Sequence, residues 1–457
     1  MPYETVGGSF EHASRLSHSS AAVRAIADRR EFFVPAEALR DVDAIKQRIR
    51  KRTEFVSPKQ SDQLTVAIAI DGSYTVEPVR DGMPSVMYGY AQVAAAYIDL
   101  EVMETQRAEQ FVDPYAIENA VNTAVISLDL PTAGAYTREG VDISTSWRED
   151  LNRLFRDRKV EIDNIDKSLL DLLFMLKGKP GNPASVVPVN CPACRSADVP
   201  VPSFGVQCPD CGIPLYPTDT LRIHEGVTED GDNKMAMGRL MSVLELLVLV
   251  GLVTYLWEVA RKTHLPKTLF IVDGPLAVFG ESAKLRLWAL EYFQAMAETS
   301  TDNAPLICGI EKFSPMADFA SQLAKHDILE PGDLLICDEA ILSRVINSVN
   351  VTAYGENTYW GRKFIYRALD GRVVVLVVMP PSGHPYSKTG GMTCPENYPT
   401  LPEILDVVDR TGSSMYVNGI IPVAVAHGKA AFPLGLGTDV LRLVAMKRLG
   451  LDANPST

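Results

Sequence analysis

The chain has 457 residues, which at about 150 residues per domain is long enough for two or three domains and a large core. Its composition, 46% hydrophobic and 22% charged, excludes a disordered chain, a collagen and a protein of many membrane spans. The net charge of -13 excludes attraction of the whole surface to DNA, RNA or anionic lipid, so nucleic-acid binding needs a local basic patch, bound cations or a partner. The first twenty residues lack the pattern of a secretory signal, which predicts a cytoplasmic location.

The first third of the chain predicts a basic segment, two or more strands and then helices. The basic run IKQRIRKR fits either a solvated helix face or a phosphate contact. The apolar run from Leu64 to Ile70 stops at Asp71-Gly72-Ser73, which predicts a buried strand that delivers Asp71 to its exposed end. The run from Val86 to Leu100 predicts its antiparallel continuation, and residues 114–176 have helical spacing.

Four cysteines form the strongest motif in the chain. C-P-A-C is followed by 13 residues and then C-P-D-C-G, which gives the two pairs Cys191 with Cys194 and Cys208 with Cys211. Four thiolates at this spacing close a tetrahedron around Zn²⁺ and leave no position for water, so we expect a structural zinc ribbon. Such a ribbon fits a protein partner or DNA, and it does not identify a reaction.

A long apolar helix is predicted directly after the ribbon. Leu240 to Trp257 is nearly all apolar and 18 residues long, at the lower limit for a membrane span. It carries Glu245 and has no adjacent second span, so we favour a helix buried in a large soluble core. A buried carboxylate is costly unless it is paired or metal-bound, which makes Glu245 a candidate functional residue.

The remainder alternates strands and helices, which predicts an α/β protein with a mixed sheet. TLFIVDGPL repeats the earlier pattern and ends at Asp273-Gly274, and LICGIEKF, DLLICDEAI and RVVVLVVM predict further strands. YWGRKFIYR, Tyr359 to Arg367, interleaves aromatic and basic residues. It fits either base stacking with phosphate contacts or an edge strand with a solvated face.

Two strand-end aspartates and a buried glutamate predict a site for hard cations. If Asp71, Glu245 and Asp273 converge, they can hold one or two Mn²⁺ or Mg²⁺ ions that clamp a phosphodiester, whereas each Asp alone fits a turn or cap. Lys312, after the strand LICGIE, can neutralise phosphate charge. His427 can place water or transfer a proton, or it is a satisfied core histidine.

The order of these motifs resembles the NurA nucleases, over about Leu64 to Leu443. The resembling segments are LTVAIAIDGSY, a helix with a buried Glu, TLFIVDGPL, CGIEKF and PVAVAHGKA. The resemblance implies an RNase H-like domain in which Asp71 and Asp273 bind metal, Lys312 belongs to the family's G-[IV]-x-K strand and His427 to its P-L-x-x-A-H segment. Glu245 best matches the family's helix Glu, with Glu258 as a rival. The family's Tyr before that His has no match at Ile420 or Ile421, and Tyr416 lies further back.

The predicted organisation has five parts. They are an N-terminal helical and basic segment (1–58), a nuclease core in two parts (59–185 and 218–447), the inserted zinc ribbon (186–217) and a tail (448–457).

The resemblance implies a Mn- or Mg-dependent DNA nuclease, a homodimer that docks on a HerA-like hexameric translocase ATPase, in DNA end processing or phage defence. The alternative is a catalytically degenerate adaptor that binds nucleic acid or protein through the ribbon and the Tyr359 to Arg367 strand. A sugar-kinase-like phosphotransferase would need a Gly-rich phosphate loop that the DGS and DGP turns lack.

Overall fold

The computed structural model describes residues 42–54, 64–80, 83–108, 121–160, 166–260, 263–299, 304–346, 355, 357–380, 395–412, 420–431 and 436–450. Most of the predicted N-terminal segment, the end of the tail and Tyr416 lie outside these residues. The strands are β1 Ile49–Lys51, β2 Val66–Arg80, β3 Met83–Asp99, β4 Val121–Ala133, β5 Lys159–Val160, β6 Lys167–Ser168, β7 Val186–Val189, β8 Val199–Pro202, β9 Val206–Gln207, β10 Pro214–Leu215, β11 Thr268–Asp273, β12 Leu306–Glu311, β13 Asp333–Ile336, β14 Arg362–Arg367 and β15 Val373–Val378.

The α-helices are α1 Val42–Lys46, α2 Leu100–Ala108, α3 Ile143–Asp157, α4 Leu169–Lys177, α5 Lys234–Val259, α6 Leu285–Thr299, α7 Pro315–Lys325, α8 Glu339–Ile346, α9 Leu401–Arg410, α10 Ile421–Ala430 and α11 Leu436–Arg448. Short 3-10 turns cover Arg52–Glu54, Pro217–Leu221, Ile223–Gly226, Leu265–Lys267, Gly280–Lys284 and Pro395–Asn397. Local capping sets several helix starts, because Asp142 accepts a hydrogen bond from the Thr145 amide and Ser168 forms a capping box with Asp171.

A nine-stranded mixed sheet forms the centre, in the order β1-β13-β14-β15-β12-β11-β2-β3-β4. β2, β3 and β4 form an antiparallel meander, and β11 and β12 run parallel to β2 on its other side. These five strands have the order and directions of an RNase H-like sheet, and the prediction of a mixed α/β sheet flanked by helices is confirmed. The remaining strands, β15 to β1, extend the sheet by antiparallel pairing.

Alternating side chains along β2 divide the core into two layers. Val66, Ile68 and Ile70 face the layer that contains α3 to α6. Ala67 and Ala69 face the layer that contains α2, α9 and α10, and their small side chains let α10 lie close to the strand. Residues two apart share a face, so Asp71 belongs to the α10 side and Gly72 to the α5 side.

The long helix α5 packs inside the molecule. By length and composition it is apolar enough to cross a membrane, and 72% of its most apolar window is buried within the protein. It contacts β2, β3 and α4, so it covers one face of the meander. This matches the expectation of a core helix, since burial on several sides requires an apolar surface around the whole helix.

Three sequence predictions about elements are wrong. Residues 121–133 form strand β4 although their spacing suggested a helix, because pairing with β3 decides the conformation. Asp71 lies within β2, which continues to Arg80 because β3 pairs with it along that length. β14 lies between β13 and β15 with Arg362, Lys363 and Tyr366 buried, so it is neither an edge strand nor free for stacking on bases.

The basic run at residues 45–52 is also not a helix face. It spans the end of α1, strand β1 and a 3-10 turn, and three of its cations pair with carboxylates that are distant in the chain. The Nε of Arg48 lies 2.5 Å from Asp338, Nζ of Lys51 lies 2.6 Å from Asp333 and Nε of Arg52 lies 2.7 Å from Asp409. These charges therefore join β1 to the sheet and to α9.

Candidate active site

The candidate site forms where β11 ends beside the continuing strand β2. The parallel register pairs Val272 with Ile70, so the next residues, Asp273 and Asp71, are neighbours on the same face of the sheet. β2 goes on pairing with β3 beyond this point. Its other edge is therefore left without β11, and the two carboxylates flank the gap.

Helix α10 brings His427 to this pair. Its Nδ1 lies 2.7 Å from the Asp71 carboxylate and 3.8 Å from that of Asp273. Ligand atoms from Asp71, Asp273 and His427 all lie within 4.8 Å of one another. The His427 side chain is 64% exposed, whereas Asp71 is buried. The cluster is therefore closed at the strand and open to solvent at His427.

Lys312 completes the cluster from the end of β12. Its Nζ lies 2.7 Å from the Asp273 carboxylate, and both side chains are mostly buried. The backbone just after β11 approaches β12 closely at this corner, where the Gly274 amide donates a hydrogen bond of 2.8 Å to the Ile310 carbonyl. A side chain at Gly309 would collide with the Gly274 carbonyl, so this close approach requires glycine at position 309.

Glu245 approaches the same gap from the opposite face of the sheet. It accepts a hydrogen bond from the Gly72 amide, and its carboxylate is near enough to Asp71 and Asp273 to act on them electrostatically. A Cβ atom at Gly72 would lie 2.8 Å from Glu245 Oε1 and 2.7 Å from Met241 Cγ, so only glycine leaves room. Glu245 is not part of the tight group of three, and the rival Glu258 is exposed near the end of α5.

The electrostatics of the cluster are those of crowded acids. Burial, followed by the neighbouring Asp273, raises the pKa of Asp71 to about 6, although the hydrogen bond to His427 lowers it. Burial raises the pKa of Asp273 despite the lowering effect of Lys312. Burial, and then Asp71 and Asp273, raises the pKa of Glu245 well above its usual range. Carboxylates that repel one another in this way bind a divalent cation favourably, and carboxylate oxygens suit Mn²⁺ or Mg²⁺.

Two residues that the sequence did not single out hold α10 in place. The Ser73 hydroxyl and the Gln92 amide both donate to the Ala430 carbonyl at the end of this helix. Ser73 follows Asp71 by two residues on β2, and Gln92 is its partner on β3. The position of His427 is thereby tied to the strand that carries Asp71. The contact joins the β2–β3 hairpin to a helix that is distant in the chain, and no sequence pattern reports it.

The four cysteines form a second, separate cluster. Their sulfurs lie within 4.8 Å of one another, with Cys191 to Cys211 and Cys194 to Cys208 each at 3.6 Å. Zn–S bonds of about 2.3 Å in a tetrahedron place sulfurs about 3.8 Å apart, so these thiols fit a zinc ion. Gly212, after the last cysteine, has φ +77, which suits the tight turn expected there.

The cysteine-rich unit is joined firmly to the core. Hairpins β7–β8 and β9–β10 carry it, and apolar residues of β7 and β8 belong to the core around α5. On α3, Arg148 donates two hydrogen bonds, of 2.8 and 2.7 Å, to the Asp219 carboxylate, which follows the ribbon. Both side chains are buried, so this pair fixes the ribbon against α3.

No family model matches the chain, and no curated protein matches it either. Among solved structures, it is similar to a crystal structure of the NurA nuclease from Sulfolobus solfataricus, at 11% identity and a TM-score of 0.39, over 97% of this chain and 98% of that one. It is also similar to a second crystal structure of NurA, at 10% identity and a TM-score of 0.29, over 94% and 98% of the two chains. These structures belong to the family that the sequence resembles.

Proposed function

We propose that the protein is a Mn²⁺- or Mg²⁺-dependent DNA nuclease that hydrolyses phosphodiester bonds. The observation that carries this proposal is the group of Asp71, Asp273 and His427 around one point, with Lys312 on Asp273. Asp71 and Asp273 would hold the metal, with Glu245 at the same gap. A divalent cation bound there would stabilise negative charge on the phosphate and activate water.

The side chains of the chain itself have distinct roles in this proposal. The Nδ1 of His427 is engaged with Asp71, so Nε2 is the nitrogen left to take a proton from the attacking water or to give one to the leaving oxygen. Asp71 orients that ring. Lys312 offsets negative charge on the phosphate from its fixed place beside Asp273.

The wider setting is also a proposal. We infer a cytoplasmic homodimer that works with a HerA-like hexameric ATPase in DNA end processing or phage defence. Because the net charge is -13, a partner that provides most of the contacts to DNA fits this protein. The buried position of the aromatic and basic strand β14 argues against the adaptor alternative.

Cleavage of linear DNA with Mn²⁺, with and without EDTA, tests the proposal. Asp71→Ala and Asp273→Ala should each lower the rate by roughly a thousandfold or more while circular dichroism shows an intact fold. Asp406→Asn is a control, since this buried carboxylate pairs with Arg52 and Arg410 away from the cluster. Retained Mn-dependent cleavage in both alanine variants would overturn the assignment.

A further inference from the structure

Phe313 is the most exposed large apolar side chain among the described residues, at 98%. It stands between Lys312, which contacts Asp273, and Ser314, the N-cap of α7. An isolated exposed aromatic residue is ordinary on a protein surface. The position of this one is not, because it directly follows the lysine of the candidate site.

A buried network of an ion pair and hydrogen bonds fixes the turn that carries Phe313. Glu311 lies 2.7 Å from Nζ of Lys363, and both side chains are almost completely buried. The Ser314 hydroxyl donates to the other Glu311 oxygen over 2.9 Å and accepts from the Ala317 amide. The Lys363 ammonium in turn donates to the Tyr359 hydroxyl over 3.1 Å.

Both neighbours of Phe313 are therefore anchored while its ring is in solvent. Lys312 is held by Asp273 on one side, and Ser314 is held by Glu311 and by the helix start on the other. Because the backbone on both sides is already fixed, stacking of a flat group on the ring restricts only the two side-chain torsions of Phe313. Nucleobases are such groups, and stacking on an aromatic side chain tolerates any base.

We propose that Phe313 is a stacking platform for the base next to the scissile phosphate, so the substrate is DNA with an unpaired base at the cut, as in single strands or frayed ends. This inference rests on the proposed nuclease function and narrows its substrate class. Inside a paired duplex both faces of a base are covered by stacked neighbours, which leaves no face for the ring. Lys312 would meet the phosphate while Phe313 holds the adjoining base.

A binding experiment tests the stacking without cleavage. Single-stranded oligonucleotides with 2-aminopurine would be titrated into Asp71→Asn protein, with Phe313 intact or changed to Ala. Intact protein should quench the fluorescence, and Phe313→Ala should bind about tenfold more weakly with little quenching. Phe313→Trp should restore both. Phe204→Ala is the matched control, because Phe204 is 78% exposed in the ribbon.

A cleavage experiment separates this inference from the function on which it rests. Oligonucleotides with an abasic nucleotide at each position along the strand would be compared with intact ones. The unchanged protein should cut about tenfold more slowly when the missing base adjoins the cut, and Phe313→Ala should show no such preference. Normal cutting with equal rates on both substrates would overturn the stacking role alone. No Mn-dependent cutting of any substrate would overturn the nuclease and the stacking role together.

Discussion

The chain contains two candidate metal sites that differ in how they are built. The cysteine cluster comes from one short stretch, and its four sulfurs occupy every tetrahedral position. The carboxylate cluster draws on β2, β11 and α10, with Lys312 and Glu245 beside it, and one side is open through the exposed His427. A closed site stabilises structure, whereas an open one leaves room for a substrate and water. Substitutions at and around the two sites test that contrast.

The largest effect is expected from the closed site. Cys208→Ser should remove zinc from the ribbon and lower the free energy of unfolding by on the order of 3–5 kcal/mol, since metal binding at such sites contributes to folding. Atomic absorption and denaturant unfolding measure both quantities. Asp71→Asn should retain the zinc of the ribbon. Equal zinc content in the cysteine variant would argue against a zinc site there.

A smaller effect is expected for the carboxylate that lies across the sheet. Glu245→Gln should lower Mn²⁺ affinity and the cleavage rate by about 10- to 100-fold, as for other groups that support metal ligands. Calorimetric titration and the DNA assay measure these. Glu258→Gln, on the same helix but exposed, should behave like the unchanged protein. If Glu258→Gln lowers affinity and rate while Glu245→Gln does not, Glu258 is the functional residue.

The close approach of α5 to β2 predicts a size limit at Gly72. Gly72→Ala should cost about 1–3 kcal/mol of unfolding free energy and reduce cleavage, because the new Cβ meets Glu245 and Met241. Gly428→Ala makes the same change in α10, where nothing lies within 4 Å, and should be neutral or slightly stabilising. Thermal denaturation compares the two. Equal melting temperatures would contradict the crowded geometry.

The last prediction concerns the pH dependence of stability in the absence of divalent cations. The pKa of Asp71 is about 6 in the folded protein against 3.8 in a free side chain, so the folded state holds this proton more tightly and stability falls as pH rises from about 4 to about 6. Asp71→Asn lacks this titration. It should match the unchanged protein near pH 4 and exceed it by about 2–3 kcal/mol at pH 7.

Unfolding titrations across this range test the difference, and added Mn²⁺ should reverse its sign by stabilising the unchanged protein. If the difference in unfolding free energy between the two proteins is the same at pH 4 and pH 7, burial does not raise the pKa of Asp71.

Sequence patterns predicted the structural features that depend on residues close together in the chain. The cysteine spacing, the apolar strand runs of β11, β12 and β15 and the core character of α5 are local signals. Long-range pairing decided the rest: β4 is a strand because β3 pairs with it, and Asp71 lies in mid-strand for the same reason. The candidate site follows this division. Its acidic residues were visible in sequence, whereas the support of α10 by Ser73 and Gln92 was not.

The packing of α5 has a consequence for synthesis on the ribosome. An apolar helix long enough to cross a membrane is a hazard while it emerges, since targeting factors and aggregation compete for it. Its main contacts, β2, β3 and α4, all precede it in the chain, and β11 follows it closely. The segments that cover this helix have therefore already been synthesised when it leaves the exit tunnel, and this order in the chain shortens the time for which its apolar surface lacks a partner.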